Sequence, residues 1–376
     1  MSSTKRAIVV VALSLCGAAA FAGVLIYRWH RPMQSANTGT SPEILNHLPA
    51  DAPVVAYLDV AALKRLHDSP LAAMLGLAGE NPREDRDYQT FVRDTGFDYT
   101  RDLDRAAVAF WPSNLVTRQG AADNRTLAIA DGRFDQAKIK ADALRTGKSI
   151  TAGGRSLYLV PGNPPVALEF LSTTRIALAS GPDAKQVLSR SNSTPRDAAM
   201  QERIERVAGA PIFAVARTDK LPANFYDNLR SAPQLQALAR SVQALMLAGQ
   251  PDGDLIHLTL DAECDSMTDA IKLSTVVDSL RLLGSMALAD PKTRGQMTKQ
   301  QVAFLNALLN EAKLSHQDRW VRLTLDLTPA ILGKARATTR GLDPQMQRTM
   351  NAGDRIDLRV AVVQPSSSKL DRFPSY

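Results

Sequence analysis

The run Lys148–Ala179, KSITAGGRSLYLVPGNPPVALEFLSTTRIALA, decides the fold class. Four apolar segments follow one another in it: Lys148–Thr151, Ser156–Val160, Val166–Leu171 and Arg175–Ala179. Gly153-Gly154 suits a hairpin turn between the first two. Connections this short join only antiparallel neighbours, because parallel strands need a crossover of a dozen or more residues. Asp254–Ala262 (DLIHLTLDA) and Arg319–Leu327 alternate polar with apolar, as strands with one wetter face do. These strands belong to an antiparallel sheet, not to a doubly wound parallel one.

Helices surround them. Asp135–Thr146 reads as a helix closed by Gly147, and Glu84–Thr95 as one stopped by Gly96. Further helices are expected at Ser69–Gly79, Asp183–Ser189, Asp197–Val207, Ser266–Ala289 and Thr298–Lys313. Ser41-Pro42 and Thr328-Pro329 each open a short one. In Ser231–Ala248, Leu235, Leu238, Val242, Leu245 and Met246 recur at spacings of three and four, which predicts one more amphipathic helix. Ala52–Asp59, Ala106–Trp111, Thr126–Ala130 and Pro211–Ala216 read as further strands, and Ile356–Val363 as a last one. The fold class is therefore α+β, with mainly antiparallel sheets covered by helices.

An echo runs through the chain. Ala52-Pro53-Val54-Val55-Ala56-Tyr57 returns in style as Ala210-Pro211-Ile212-Phe213-Ala214-Val215. Arg175–Leu178, leading to Pro182, is matched by Val321–Leu325, leading to Pro329. Copies this far apart suggest duplication of a domain, not a solenoid array. The expected organisation is an N-terminal tail (1–6), a membrane anchor (7–27), a linker (28–43), two α+β halves (44–190 and 196–340) and an irregular tail (341–376).

The anchor is the segment Ala7–Tyr27, AIVVVALSLCGAAAFAGVLIY, 21 residues without a charge. As a helix it spans about 30 Å, the thickness of a bilayer core. Ala20-Phe21-Ala22 resembles a signal-peptidase site, but Val24–Tyr27 carries the apolar run beyond it, which favours an uncleaved anchor. Leu13-Ser14-Leu15-Cys16 resembles a lipobox, with Leu15 where a small residue is usual. The short N-terminal tail favours an inside N-terminus. The expectation is a single pass through the bacterial inner (cytoplasmic) membrane, with the body in the periplasm and the lipid bilayer contacted through residues 7–27.

Charge narrows the functions. The formal net charge is +7, yet Lys5, Arg6, Arg28 and Arg31 flank the anchor, so the body is only slightly basic. No basic run marks a nucleic-acid face. Cys16 lies in the apolar segment, which leaves Cys264 without an intrachain partner outside the membrane.

Chemical motifs are absent. Thr146-Gly147-Lys148-Ser149 ends like a phosphate loop, but Asp142 stands where a glycine is needed, and the motif closes a helix instead of opening one. Ser366–Lys369 matches Ser-x-x-Lys only inside a Ser/Pro-rich tail. His30, His47, His67, His257 and His316 have no metal spacing. Glu80–Arg105 is dense in charge, with Asp94, Asp98, Asp102 and Asp104 as candidate cation ligands, although the glycine and spacing of a calcium loop are missing. A solvated face is the plainer reading of such a mixed run, and a partly buried structural histidine that of His257. No catalytic, cofactor-binding or metal residue is assigned, and no cofactor is expected.

The segments LPADAPVVAYLDVAAL, FVRDTGFDYTRDLDRAAVAF, LAIADGRFD, ERIERVAGAPIFAVART and ALADPKTRGQM resemble a group of uncharacterised bacterial proteins, mainly acidobacterial, with one N-terminal membrane helix and an α+β body. The resemblance covers most of residues 44–335 and implies an envelope protein. It transfers no catalytic residue. The expected function is non-enzymatic binding or scaffolding of an envelope protein or ligand. The alternative is an envelope hydrolase whose acid/base pair, drawn from Asp94, Asp98, Asp102, Asp104 and His257, meets only in the fold.

Overall fold

The computed structural model describes residues 42–65, 86–113, 124–152, 154–162, 164–189, 197–221, 233–252, 255–291 and 313–328, with a few positions between 302 and 311. The expected anchor 7–27 and tail 341–376 lie outside the described residues. So do Ser69–Gly79, Pro329, Ile356–Val363, Ser366–Lys369 and most of Thr298–Lys313. Among the described residues no helix is long and apolar enough to cross a membrane.

Twelve strands form one antiparallel sheet: β1 Val54–Asp59, β2 Leu103–Trp111, β3 Arg125–Gly132, β4 Lys148–Ala152, β5 Arg155–Val160, β6 Val166–Phe170, β7 Arg175–Ser180, β8 Ile212–Arg217, β9 Val242–Asp252, β10 Leu255–Cys264, β11 Lys313–Gln317 and β12 Trp320–Leu327. Their order across the sheet is β11-β12-β10-β9-β8-β1-β2-β3-β7-β6-β5-β4. The run Lys148–Ala179 supplies β4 to β7, each antiparallel to the next. Gly154 turns the β4–β5 hairpin with φ +75°, a conformation glycine adopts without strain.

The two expected halves do not build separate sheets. β1 pairs with β8, and one ladder runs through both. Outward from that pair the strands follow as β1-β2-β3-β7-β6 on one side and β8-β9-β10-β12-β11 on the other, with β5 and β4 added at the first end.

Eight α-helices are described: α1 Val60–Arg65, α2 Arg86–Thr95, α3 Tyr99–Asp102, α4 Gln136–Thr146, α5 Ala184–Ser189, α6 Ala198–Glu205, α7 Pro233–Arg240 and α8 Met267–Ala289. Their ends follow local chemistry. Asp135 caps α4 by accepting from the Lys138 amide, and Asp197 caps α6 by accepting from the Met200 amide. The Ser266 hydroxyl accepts from the Asp269 amide at the start of α8. Gly96 follows α2 with φ +72°. Gly147 after α4 returns its amide to the Ala143 carbonyl, and a Cβ there would meet the Leu159 carbonyl oxygen at 2.1 Å. That close approach, not phosphate binding, accounts for the glycine of Thr146–Ser149.

One sequence expectation is corrected. Ser231–Ala248 is not one helix: α7 ends at Arg240 and β9 begins at Val242. Val242, Leu245 and Met246 fit helical spacing from Leu238, but Val242, Ala244 and Met246 also fit a period of two, and all three are buried. Pairing with β8 and β10 on both sides decides for the strand.

The sheet separates two apolar layers. On one face Val55, Tyr57, Ala107, Ala109, Leu127, Ile129, Phe213, Val215 and Met246 pack with Ile44, Leu45, Val187, Leu188, Met200 and Ile204. The latter come from the 3-10 turn Glu43–His47, α5 and α6. On the other face, α8 packs over β10 and β12 through Ala270, Leu273 and Val277 against Ala262, Cys264 and Val321. At the first end, Ile139 and Ala143 of α4 cover Tyr158, Leu168 and Ile176. Between these covers lie Ala56, Val108, Ala128 and Ala214.

Candidate functional site

The concentration of buried charge lies at β10, β12 and α6. Asp261 and Glu263 are two residues apart on β10 and so share a face. They are 1% and 3% exposed. Met200 and Ile204, one turn apart on α6, sink into the core. That anchoring aims Arg203, and Arg206 just past the helix end, at β10. Arg203 Nε donates to Glu263 Oε2 at 2.6 Å, and Arg206 Nε to Asp261 Oδ2 at 3.3 Å. From β12, Arg322 pairs directly with its register partner Asp261, with Nη2 2.7 Å from Oδ2. Arg319, in the β11–β12 turn, reaches Glu263 Oε1 at 2.8 Å. Two carboxylates thus hold four guanidiniums. The Trp320 ring lies among them, 4.1 Å from the Arg206 guanidinium carbon and 5.9 Å from that of Arg319.

Arg203 also borders a cavity of about 650 Å³. Its walls come from the start of α6 (Asp197, Ala199), the end of β8 and the turn after it (Arg217, Thr218, Asp219, Leu221), the end of α7 (Arg240), the start of β9 (Val242, Gln243) and Asp265. Its charges are matched internally: Arg217 lies 3.0 Å from Asp197 and 3.7 Å from Asp219. Gln243 donates to Asp265. Cys264, next to Asp265, is fully buried. Burial first, then Asp269, Asp265 and Glu263, push its thiol up to about 11, so it stays protonated and is no nucleophile.

The candidates Asp94, Asp98, Asp102 and Asp104 do not form a cation site. Asp98 caps α3, accepting from the Thr100 amide at 3.0 Å and the Tyr88 hydroxyl at 2.8 Å. Burial opposes its charge, but the hydrogen bonds from Thr100 and Tyr88 outweigh burial and hold it below the usual carboxylate range. Asp102, 4% exposed, accepts from Arg101 Nε at 2.8 Å and pairs with Arg133 at 3.4 Å. Arg101 holds it low against the penalty of burial. Asp94 faces Arg93 and Arg145, and Asp104 faces Arg133. Among the described residues no group of three or more His, Cys, Asp or Glu is placed to hold a metal ion.

His257 stands elsewhere. β10 is separated from β2 by β9, β8 and β1, which at strand spacing is roughly 19 Å. Its Nδ1 lies 2.6 Å from Asp326 Oδ1, its register partner on β12, and its Nε2 3.5 Å from Asp252. Both ring nitrogens face carboxylates, which positions no serine or threonine hydroxyl for activation. The fold therefore does not bring His257 to the aspartates of β2 and α3.

No protein-family model matches the chain, and no curated protein matches it. Among solved structures, crystal form IV of TP0453 aligns with a TM-score of 0.43 at 12% identity, over 81% of this chain and 100% of that one. Crystal form III gives 0.42 at 12% identity, over 80% and 100%. A likeness this distant carries no argument about function.

The buried network escaped sequence reading. Asp261 sits in an alternating strand whose polar face reads as solvated. One signal was present: Arg203 falls on the side of α6 that also carries the buried Met200 and Ile204.

Proposed function

We propose that this chain is a non-enzymatic envelope protein: a body held outside the cytoplasm by residues 7–27, which binds or scaffolds a partner. One observation carries the reading. The sheet face holding Val54, Leu58, Ile212, Leu245, Leu247, Leu258 and Leu260 is apolar across four adjacent strands, and these residues are only half-buried. Half-buried apolar area of this extent suits a protein contact better than bulk solvent. The matched charges of the cavity and the carboxylate-bound His257 support a binding role over hydrolysis. The resemblance to acidobacterial-type single-pass proteins points the same way. We further propose that the two halves descend from one duplicated unit, which the matching strand order from β1 and from β8 supports.

The placement is tested by fusing alkaline phosphatase after Tyr376. An active reporter is expected, and an inactive one beside a fluorescent cytoplasmic fusion overturns the orientation. The binding role is tested in cells with a photo-reactive residue at Leu247, with Thr324 on the opposite face as control. A discrete adduct at Leu247 alone is expected. Equal labelling of both faces, or none at Leu247 in folded protein, sinks the reading.

A further inference from the structure

We infer that the cavity bordered by Arg203 is a binding site for an aliphatic α-amino acid, with Arg203 taking the carboxylate and Asp265 the ammonium. The cavity shares no residue with the proposed partner contact, and the inference stands independently of it.

The first argument is a buried donor pair with nothing to donate to. Arg203 is 9% exposed. Its Nε is engaged by Glu263 Oε2 at 2.6 Å, and neither Nη donates a hydrogen bond among the described residues. Nor is either Nη sealed in the core, as the orphaned Trp111 Nε1 and Glu169 Oε2 are. Buried N–H groups of a cation cost free energy unless they find an acceptor. With Nε turned to Glu263, the two Nη groups are the end left for the cavity. Side by side, Nη1 and Nη2 donate to both oxygens of one carboxylate. Met200 and Ile204 anchor α6 in the core, and Glu263, 3% exposed, fixes the guanidinium. A ligand meets this fork already ordered, which lowers the entropy cost of binding.

The second argument is an acceptor of the opposite sign in the same cavity. Asp265 is exposed and so stands at the rim, not the floor. Its Oδ1 accepts from Gln243 Nε2 at 2.9 Å. Its Oδ2 accepts nothing, and the carboxylate has no ion-pair partner among the described residues. Asp197 and Asp219, by contrast, both lie against Arg217. Asp265 comes two residues after Glu263, hence within roughly 7 Å of it along the backbone. A free carboxylate thus stands about one small ligand's length from the guanidinium that Glu263 holds, without pairing to it.

The third argument sets the ligand class. A donor fork at the floor and a lone carboxylate at the rim suit a ligand with both charges, as a free α-amino acid has at neutral pH. A simple carboxylate leaves Asp265 unanswered, and a simple amine leaves Arg203 so. Ala199, Leu221 and Val242 supply an apolar wall for an aliphatic side chain. The volume of about 650 Å³ falls in the range of small-molecule sites.

Calorimetry on the full chain in detergent, at constant ionic strength, tests the site with three probes on one skeleton. L-leucine carries both charges, 4-methylpentanoate lacks the ammonium, and 3-methylbutylamine lacks the carboxylate. Saturable binding of leucine is expected. The amine should bind about tenfold more weakly or worse, the loss of the charge-assisted fork. The carboxylate should bind about threefold more weakly, the scale of an exposed ion pair. Arg203→Lys keeps a cation for Glu263 but not the fork, and should weaken leucine and 4-methylpentanoate alike. Asp265→Asn should weaken leucine alone, about threefold. Arg145→Gln, outside the cavity, leaves all three unchanged. Should Arg203→Lys fail to fold, the native chain and Asp265→Asn, an exposed position, still decide. Absence of saturable leucine binding overturns the site. So does 4-methylpentanoate binding as tightly as leucine, or an Asp265→Asn protein that binds leucine undiminished.

Discussion

Ala56 and Ala214 are direct register partners at the middle of the β1–β8 ladder, and the pairs on either side of them, Val54↔Ala216 and Leu58↔Ile212, exchange under the sequence shift that carries Pro53 to Pro211. The ladder is thus symmetric about its central alanines. It is also the seam through which residues of both halves enter one sheet, and one core runs across it, from Leu127 and Ala177 to Phe213 and Met246.

A first prediction follows from that seam. Tyr57 and Phe213 are partners across it, with ring centroids 5.2 Å apart, and Phe213 is fully buried. Phe213→Ala should cost about 3–5 kcal/mol, as expected for a large buried ring whose site collapses only in part. Because the core is shared, the loss should lower a single denaturant midpoint with little change in slope. Two separate transitions in urea, with only one displaced by the variant, would show that the halves fold independently.

A second concerns the buried pair Asp261–Arg322, whose side chains are 1% and 4% exposed. Arg322→Met leaves Asp261 buried with only the longer Arg206 contact, and should cost about 3–5 kcal/mol. Replacing both, Asp261→Leu with Arg322→Met, should recover most of that loss, because the unpaired charge is then gone. A double-mutant cycle in guanidinium chloride measures it. A double variant less stable than Arg322→Met alone refutes the account.

These two predictions mark what was legible in the sequence. The hairpin series β4–β7 and the ends of α4 and α2 were readable because capping aspartates, glycines and short turns act locally. The helix–strand junction at Ser241 was not. Alanine and leucine serve either period in that stretch, and only pairing with β8 and β10, remote in sequence, breaks the tie. The joining of the halves was hidden for the same reason: Pro53 and Pro211 announce similar strands, but nothing local says that they pair with each other. Asp261 looked solvated because burial of a polar strand face depends on which helix lies over it, here α6 with Arg203 and Arg206. His257 and the aspartates at 94, 98, 102 and 104 stand out by residue type alone, and the fold gives them local partners: carboxylates for His257, arginines for Asp94, Asp102 and Asp104, and the Tyr88 and Thr100 hydroxyls for Asp98.

Glycine positions offer a third test. A Cβ on Gly132 would lie 2.2 Å from the Asp102 carbonyl oxygen, a backbone atom that no rotamer change removes. Gly132→Ala should cost about 1–3 kcal/mol through forced displacement of β3 from α3. At Gly154 nothing lies within 4 Å, and only its φ of +75° opposes a side chain. Gly154→Ala should therefore cost about 1 kcal/mol. Thermal melts rank the two, and an equal or reversed order contradicts the contact.

Glu169 on β6 is 2% exposed, its Oε2 has no hydrogen-bond partner, and its Oε1 lies 3.3 Å from Arg155. Burial raises its carboxyl above the ordinary value of 4.5, against the lowering effect of Arg155. The folded state thus holds a proton that the unfolded state releases. Its contribution to stability is fully present below pH 4.5 and is lost as the pH rises through the folded value. Glu169→Gln, which cannot ionise, should be more stable than the parent near neutral pH, with the advantage shrinking toward pH 4.5. Denaturant midpoints of both proteins across that range check it. A parent that gains stability relative to the variant as the pH rises would mean that Arg155 outweighs burial.

His257 gives the last prediction, with the sign worked from its neighbours. Burial disfavours the imidazolium, but the Asp326 hydrogen bond and the charges of Asp326 and Asp252 outweigh burial and raise the ring above 6.5. A group whose folded value is raised stabilises the fold fully below its unfolded value, near 6.5, and that contribution fades as the pH rises through the folded value. The ring is 37% exposed and Asp326 50%, so solvent moderates the interaction and the change in stability should be modest. Asp326→Asn removes the nearer carboxylate and leaves Asp252 at 3.5 Å. The midpoint of the His257 ring proton, followed by NMR, should then fall toward or below 6.5. Asp252→Asn should lower it less, since its contact is the longer. The Asp326→Asn protein should also lose part of the decline in stability between pH 6 and 8. An unchanged midpoint in Asp326→Asn would mean that the 2.6 Å contact does not hold the proton on the ring.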